Sequence, residues 1–164
     1  MCIRDSNWSK TSLAWMSIGY ETQIPPISTL AFYNAIANGG RMMYPRFVTG
    51  ISKNGEMLMT FPAMAVPGHE KICSQRTLGK VQAMLEHVVS KGTAKKAGSK
   101  AFKIAGKTGT AQENKKRPNH ALFISYAPYD NPDITMTVVV PNGYTSANAA
   151  EIARDIYKLS LIHI

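Results

Sequence analysis

Apolar residues recur every three or four positions in "PPISTLAFYNAIANGG", at Ile27, Leu30, Ala31, Tyr33, Ile36 and Ala37, and this spacing predicts an amphipathic helix. Pro26 suits its first turn, and Gly39-Gly40 stops it. The period then shortens. "RFVTGISKNGEMLM" alternates apolar and polar positions around Asn54-Gly55, a pair that tolerates the positive φ of a tight primed turn, so a β-hairpin is predicted. Helical spacing returns in "SQRTLGKVQAMLEHVVSKG", with Ser74 as N-cap and Leu78, Val81, Leu85 and Val88 as the buried stripe. Gly92 ends it, and Gly79 weakens its first turns by about 1 kcal/mol relative to alanine.

Three strand candidates follow: "AFKIAGKTGTA", "HALFISYAP" and "DITMTVVVP". The last is a near-continuous apolar run, expected for an interior strand covered on both faces. The loops between them suit antiparallel neighbours. "SANAAEIARDIYKL" closes the pattern as a helix capped by Ser146, with Ala149, Ile152, Ala153 and Ile156 turned inward. Helices, an antiparallel sheet and a helix returning across it make the expected fold class α+β.

Composition narrows this picture. With 45% hydrophobic and 18% charged residues the chain is globular rather than disordered, and 164 residues suffice for one domain with a core. No apolar run is long enough to span a bilayer. Cys2 and Cys73 form no CxxC pair, which excludes a zinc ribbon or thioredoxin-type site. "MCIRDS" and "LSLIHI" read as translated adapter sequence, so residues 1–6 and 159–164 are expected to be non-native, with 7–158 as the native portion.

The net charge of +9 would suit a polyanion. The cations are spread out, however, denser only from Lys91 to Lys107 and at Lys115-Lys116-Arg117, and no stacking aromatics interleave with them. Solvated loops are the better reading, and no nucleic-acid partner is expected. His69 and His120 lie far apart without acidic ligand spacing, so no metal site and no cofactor is expected. Cys73 reads as a small packing residue, not a nucleophile.

The chemistry concentrates in "FKIAGKTGTAQ". On a strand Thr108 and Thr110 share one face, while Lys107 starts from the other. Gly109 leaves the backbone between the threonines open to a ligand. Two hydroxyls and a nearby ammonium make a receptor for a carboxylate, and a sheet edge here could also pair with an extended peptide. Gln112 and Glu113, just beyond, are candidates for substrate contact.

This stretch resembles the lysine-threonine-glycine element of penicillin-binding proteins and class A β-lactamases. The surroundings resemble class B penicillin-binding proteins: "GYETQIPPISTLAFYNAIANGGRMMYPRFV", then "KGTAKKA" at 91–97, then "AGKTGTAQ" and "HALFISYAP". The resemblance runs from Trp15 to Lys158. It implies part of a peptidoglycan D,D-transpeptidase in which a serine forms an acyl-enzyme with a stem peptide, and β-lactams acylate the same serine. Carried over, Thr108 and Thr110 bind the donor's terminal carboxylate and Lys107 supports the electrostatics beside it. The backbone N–H of Thr110 supplies half of the oxyanion hole. The parent is implied to be an inner-membrane protein with this domain in the periplasm, working with membrane cell-wall synthesis proteins; its anchor is not in this chain.

The family's nucleophile sits in Ser-x-x-Lys, and no lysine here has a serine three residues before it. Lys80 has Thr77 in that place, inside a predicted helix. Two Ser-x-Asn matches, Ser52-Lys53-Asn54 and Ser146-Ala147-Asn148, fall at the hairpin turn and at a helix start, where turn and cap chemistry account for them. The chain is therefore expected to lack the nucleophile and to be inactive alone. Three other readings stay open: a β-lactam sensor or β-lactamase-like hydrolase, a non-catalytic basic binding module, and a purely structural fragment.

Overall fold

The computed structural model describes residues 9–19, 22, 24–112 and 116–162. A five-residue helix, α1 (Ser12–Met16), precedes the first predicted one, α2 (Pro26–Ala37). Pro25 and Pro26 open α2, as a residue without an N–H can. Only its C-terminal half is buried, through Ala35 and Ile36, while Ile27 and Phe32 remain exposed. Of the predicted stripe Ile36 is buried, Leu30, Ala31, Tyr33 and Ala37 are half-buried, and Ile27 alone is exposed.

The hairpin forms as expected, β1 (Gly50–Lys53) against β2 (Glu56–Thr60), with Asn54 at φ 54° and Gly55 at φ 85° in the turn. Residues 42–44 and 64–66 bond to each other at its base. Neither strand, however, has a buried face: β2 is exposed throughout and β1 nearly so.

Ser74 caps α3 (Gln75–Ser90), its hydroxyl accepting the Thr77 N–H at 3.2 Å. Leu78 and Leu85 are buried as predicted, Val81 and Val88 partly so, and Val89 is added at the end. A single 3-10 turn (Lys95–Ala97) leads from α3 toward the second sheet.

That sheet has the order β3-β4-β5, built from Ala105–Ala111, His120–Ala127 and Ile134–Val140, antiparallel throughout. β4 is the interior strand. The expectation for β5 is therefore corrected: among the described residues it is an outer strand. Thr135 and Thr137 break its apolar run, so Ile134, Met136, Val138 and Val140 share one face and the threonines the other. The threonine face is only partly covered; Thr135 Oγ1 donates to Asn34 Oδ1 of α2 at 3.2 Å.

Helix α4 (Ser146–Ile162) crosses the first face. Ala149, Ala150, Ala153 and Tyr157 are buried against Phe123, Ala121 and Ala127, while Ile152 and Ile156 are about two-fifths exposed. The predicted inward stripe is corrected by a partial turn, because three alanines let the helix lie close to β4. Ser146 is the first helical residue rather than the cap; Thr145 Oγ1 accepts the Ala147 N–H at 3.4 Å. In this interface the Ser125 and Tyr157 hydroxyls bond at 3.1 Å. On the opposite face Tyr126 packs with Ile36, Leu78, Leu85 and Ala105. The sheet is thus a middle layer, with α4 on one side and α2 and α3 on the other, which is α+β with helices on an antiparallel sheet. No helix among the described residues is long and apolar enough to cross a membrane.

Candidate functional site

β3 has β4 on one side only, and no strand pairs with its other edge among the described residues. Alternate N–H and C=O groups along that edge point away from β4. The register fixes which side chain stands where. Gly106, Thr108 and Thr110 lie opposite Ser125, Phe123 and Ala121, facing α4. Lys107 and Gly109 lie opposite Ile124 and Leu122, on the face of α2 and α3 that Tyr126 also occupies. The four predicted site residues are therefore consecutive on one outer strand, with the ammonium and the hydroxyls on opposite faces.

The two threonines differ in setting. Thr110 is exposed, whereas Thr108 is only 9% exposed and its Oγ1 lies 2.9 Å from Thr93 Oγ1. Lys107 is exposed, and its Nζ donates to the Thr108 carbonyl at 2.8 Å.

The two glycines flanking Lys107-Thr108 also differ. A Cβ on Gly106 would stand 2.6 Å from the Ile124 carbonyl and 2.7 Å from Ser125 Cβ, so packing alone demands glycine there. A Cβ on Gly109 would meet Leu122 at 3.4 Å, an ordinary contact. The interior therefore does not require a glycine at position 109.

Thr93 and Gly106 carry no assigned role in the sequence reading. "KGTAKKA" drew notice only as a resemblance, and nothing local marks its threonine as a partner of residue 108, fifteen positions on. Gly106 could have been suspected from its place between an apolar run and Lys107.

The other candidates lie elsewhere. Gln112 is exposed just past β3; Glu113 lies outside the described residues. His120 begins β4, its Nδ1 accepting the Asn142 N–H at 3.1 Å, and His69 sits on a loop with Nδ1 3.2 Å from the Pro67 carbonyl. Cys73 is half-buried beside Ile72 at the start of α3. Ser52 and Asn54 belong to the hairpin, a separate two-stranded sheet, and Ser146 and Asn148 to the first turn of α4, where the Asn148 Nδ2 donates to the Gly143 carbonyl at 3.1 Å. In the basic stretch, Lys96 lies 3.7 Å from Glu151 and Lys103 3.7 Å from Asp130, both in solvent-exposed pairs.

Comparison with known proteins gives this arrangement a context. The family model of the penicillin-binding protein transpeptidase domain matches residues 3–158. Penicillin-binding protein 2A of Bacillus subtilis is 30% identical over 146 residues, covering 80% of this chain and 20% of that protein. The peptidoglycan D,D-transpeptidase MrdA of Haemophilus influenzae is 43% identical over 81 residues, covering 40% of this chain and 12% of that protein. Among solved structures, penicillin-binding protein A of Mycobacterium tuberculosis, an imipenem acyl-enzyme complex, superposes with a TM-score of 0.82 at 26% identity. That match covers 93% of this chain and 34% of the other. The chain spans about a fifth to a third of the length of relatives that match most of it. The antiparallel sheet layered between helices, the outer strand bearing Lys107-Thr108-Gly109, and a family match over nearly the whole chain agree: this chain belongs to the penicillin-binding protein transpeptidase family.

Proposed function

We propose that this chain is the carboxylate-binding, C-terminal part of a peptidoglycan D,D-transpeptidase, with residues 7–158 as its native portion. The observation that carries the reading is the outer strand β3, which sets Lys107, Thr108, Gly109 and Thr110 in succession along an unpaired sheet edge. A stem peptide lying along that edge could take main-chain hydrogen bonds from β3 while its terminal carboxylate meets the Thr108 and Thr110 hydroxyls. The Lys107 ammonium adds positive potential at the same place. The backbone N–H of Thr110 would contribute to the oxyanion hole.

The serine that is acylated would come from a part of the parent that these 164 residues do not include, since no Ser-x-x-Lys occurs here. The chain alone should then neither turn over stem peptides nor form an acyl-enzyme. The imipenem complex of the Mycobacterium tuberculosis relative supports β-lactams as ligands of the complete site. An inner-membrane parent with this domain in the periplasm, working beside membrane cell-wall synthesis proteins, fits the same reading.

Reading the gene upstream of residue 7 tests it. Ser-x-x-Lys followed by Ser-x-Asn is the expected finding; a complete gene with neither would sink the transpeptidase assignment. A fluorescent penicillin should leave the isolated chain unlabelled, and covalent labelling would show that a nucleophile is present after all.

A further inference from the structure

Thr108 can serve a carboxylate only if its single hydroxyl proton is free to point at it, because a carboxylate offers acceptors alone. Its oxygen is nearly buried and lies 2.9 Å from Thr93 Oγ1, a contact in which either hydroxyl can donate. If Thr108 donates, its proton is consumed inside the protein. If Thr93 donates, the Thr108 oxygen is satisfied as an acceptor and its proton is left free for another acceptor. The two residues are not equivalent in this exchange. Thr93 is exposed, so water can supply its remaining partners, whereas Thr108 has little access to water.

We infer that Thr93 is a positioning residue for the carboxylate receptor: it donates to Thr108 and thereby aims the Thr108 hydroxyl proton at a bound carboxylate. The inference rests on the carboxylate reading of β3 given above and extends it to the segment between α3 and the 3-10 turn. An incoming carboxylate selects the arrangement in which Thr93 donates, and the chain Thr93 to Thr108 to carboxylate then runs in one direction, each bond polarising the next. The covalent position of Thr93 suits this role. Ala94 beside it is fully buried, and its N–H bonds to the Val88 carbonyl at 3.0 Å, so the threonine backbone is held between α3 and the sheet.

The test uses this chain and two probes, N-acetyl-D-Ala-D-Ala and the same dipeptide with a C-terminal carboxamide, titrated by amide NMR. The unaltered chain is expected to prefer the acid. Thr93→Val should weaken acid binding by up to about fivefold, an upper bound because the lost bond is also present in the free chain, and weaken amide binding less, since the neutral amide oxygen accepts the Thr108 proton more weakly. Thr93→Ser should retain the preference. Thr108→Val should likewise weaken the acid more than the amide, and the double variant should lose little more, since the two hydroxyls act through one bond. If Thr93→Val binds the acid as the unaltered chain does, the inference falls. Equal weakening of acid and amide, unrepaired by Thr93→Ser, would make Thr93 a packing residue only and would also overturn it. If the unaltered chain itself shows no preference for the acid, the carboxylate reading of β3 fails first and the role of Thr93 goes with it.

Discussion

Met57, Leu58 and Met59 of β2 form an apolar run, as do Leu122, Phe123 and Ile124 of β4, yet the first three stand in solvent and the second three are buried or half-buried. Both strands formed for reasons legible nearby: Asn54-Gly55 turns the hairpin, and an apolar run between polar loops marks β4. What separates them is what lies across their faces. β4 has α4 on one side and α2 with α3 on the other, whereas the hairpin packs against no helix strongly enough to bury a side chain of β2. Turn chemistry can therefore build a strand pair, but only neighbouring layers turn its apolar residues into stability.

The sharpest way to break this contrast is Phe123→Ala. Phe123 is fully buried between β4 and α4, so truncation should cost about 3–5 kcal/mol, read as a large fall in the denaturant midpoint. A smaller effect is expected from pH. Burial pushes the Tyr157 hydroxyl up to about 12, against 10.0 for an unperturbed tyrosine, and the Ser125 bond offsets this only in part. The unfolded chain loses that proton first, so stability held below pH 10.0 should decline as the pH rises toward 12. Tyr157→Phe should flatten this decline in alkaline denaturation curves, at the expense of about 1 kcal/mol at neutral pH for the lost Ser125 bond. Unchanged alkaline curves would place the tyrosine outside the core. The least effect belongs to the hairpin: Leu58→Ser should shift stability by no more than about 0.5 kcal/mol, because its side chain is already in water. A loss comparable to that of Phe123→Ala would mean the hairpin is covered in solution.

Where the sequence was legible, the signal was local. Ser74 caps α3, Asn54-Gly55 turns the hairpin, and Lys107 and Thr108 stand on opposite faces of a strand, each readable within a few residues. The errors were non-local. The rank of β5 within the sheet depends on which strands lie beside it, and two threonines inside an apolar run were too weak a sign of a partly open face. The inward face of α4 followed Ala149, Ala150 and Ala153, the first and last of them predicted, which permit close approach to β4, rather than Ile152 and Ile156, which are larger and more hydrophobic. The placement of Lys107, Thr108, Gly109 and Thr110 along one strand was legible as a strand motif. The pairing of Thr108 with Thr93 was not, because fifteen residues and a change of direction separate the two hydroxyls.

The outer position of β5 bears on how this chain must be handled at the bench. From Ile134 to Val140 it has neither charge nor proline, and its rim, which no strand pairs with among the described residues, offers the backbone of a second molecule a ready template. Asp133 and Pro141 sit at its two ends as gatekeepers, but nothing interrupts the seven residues between them. Shelf life in concentrated solution is therefore expected to be set by fibril nucleation along this rim, and a single lysine in place of exposed Val139 should lengthen it.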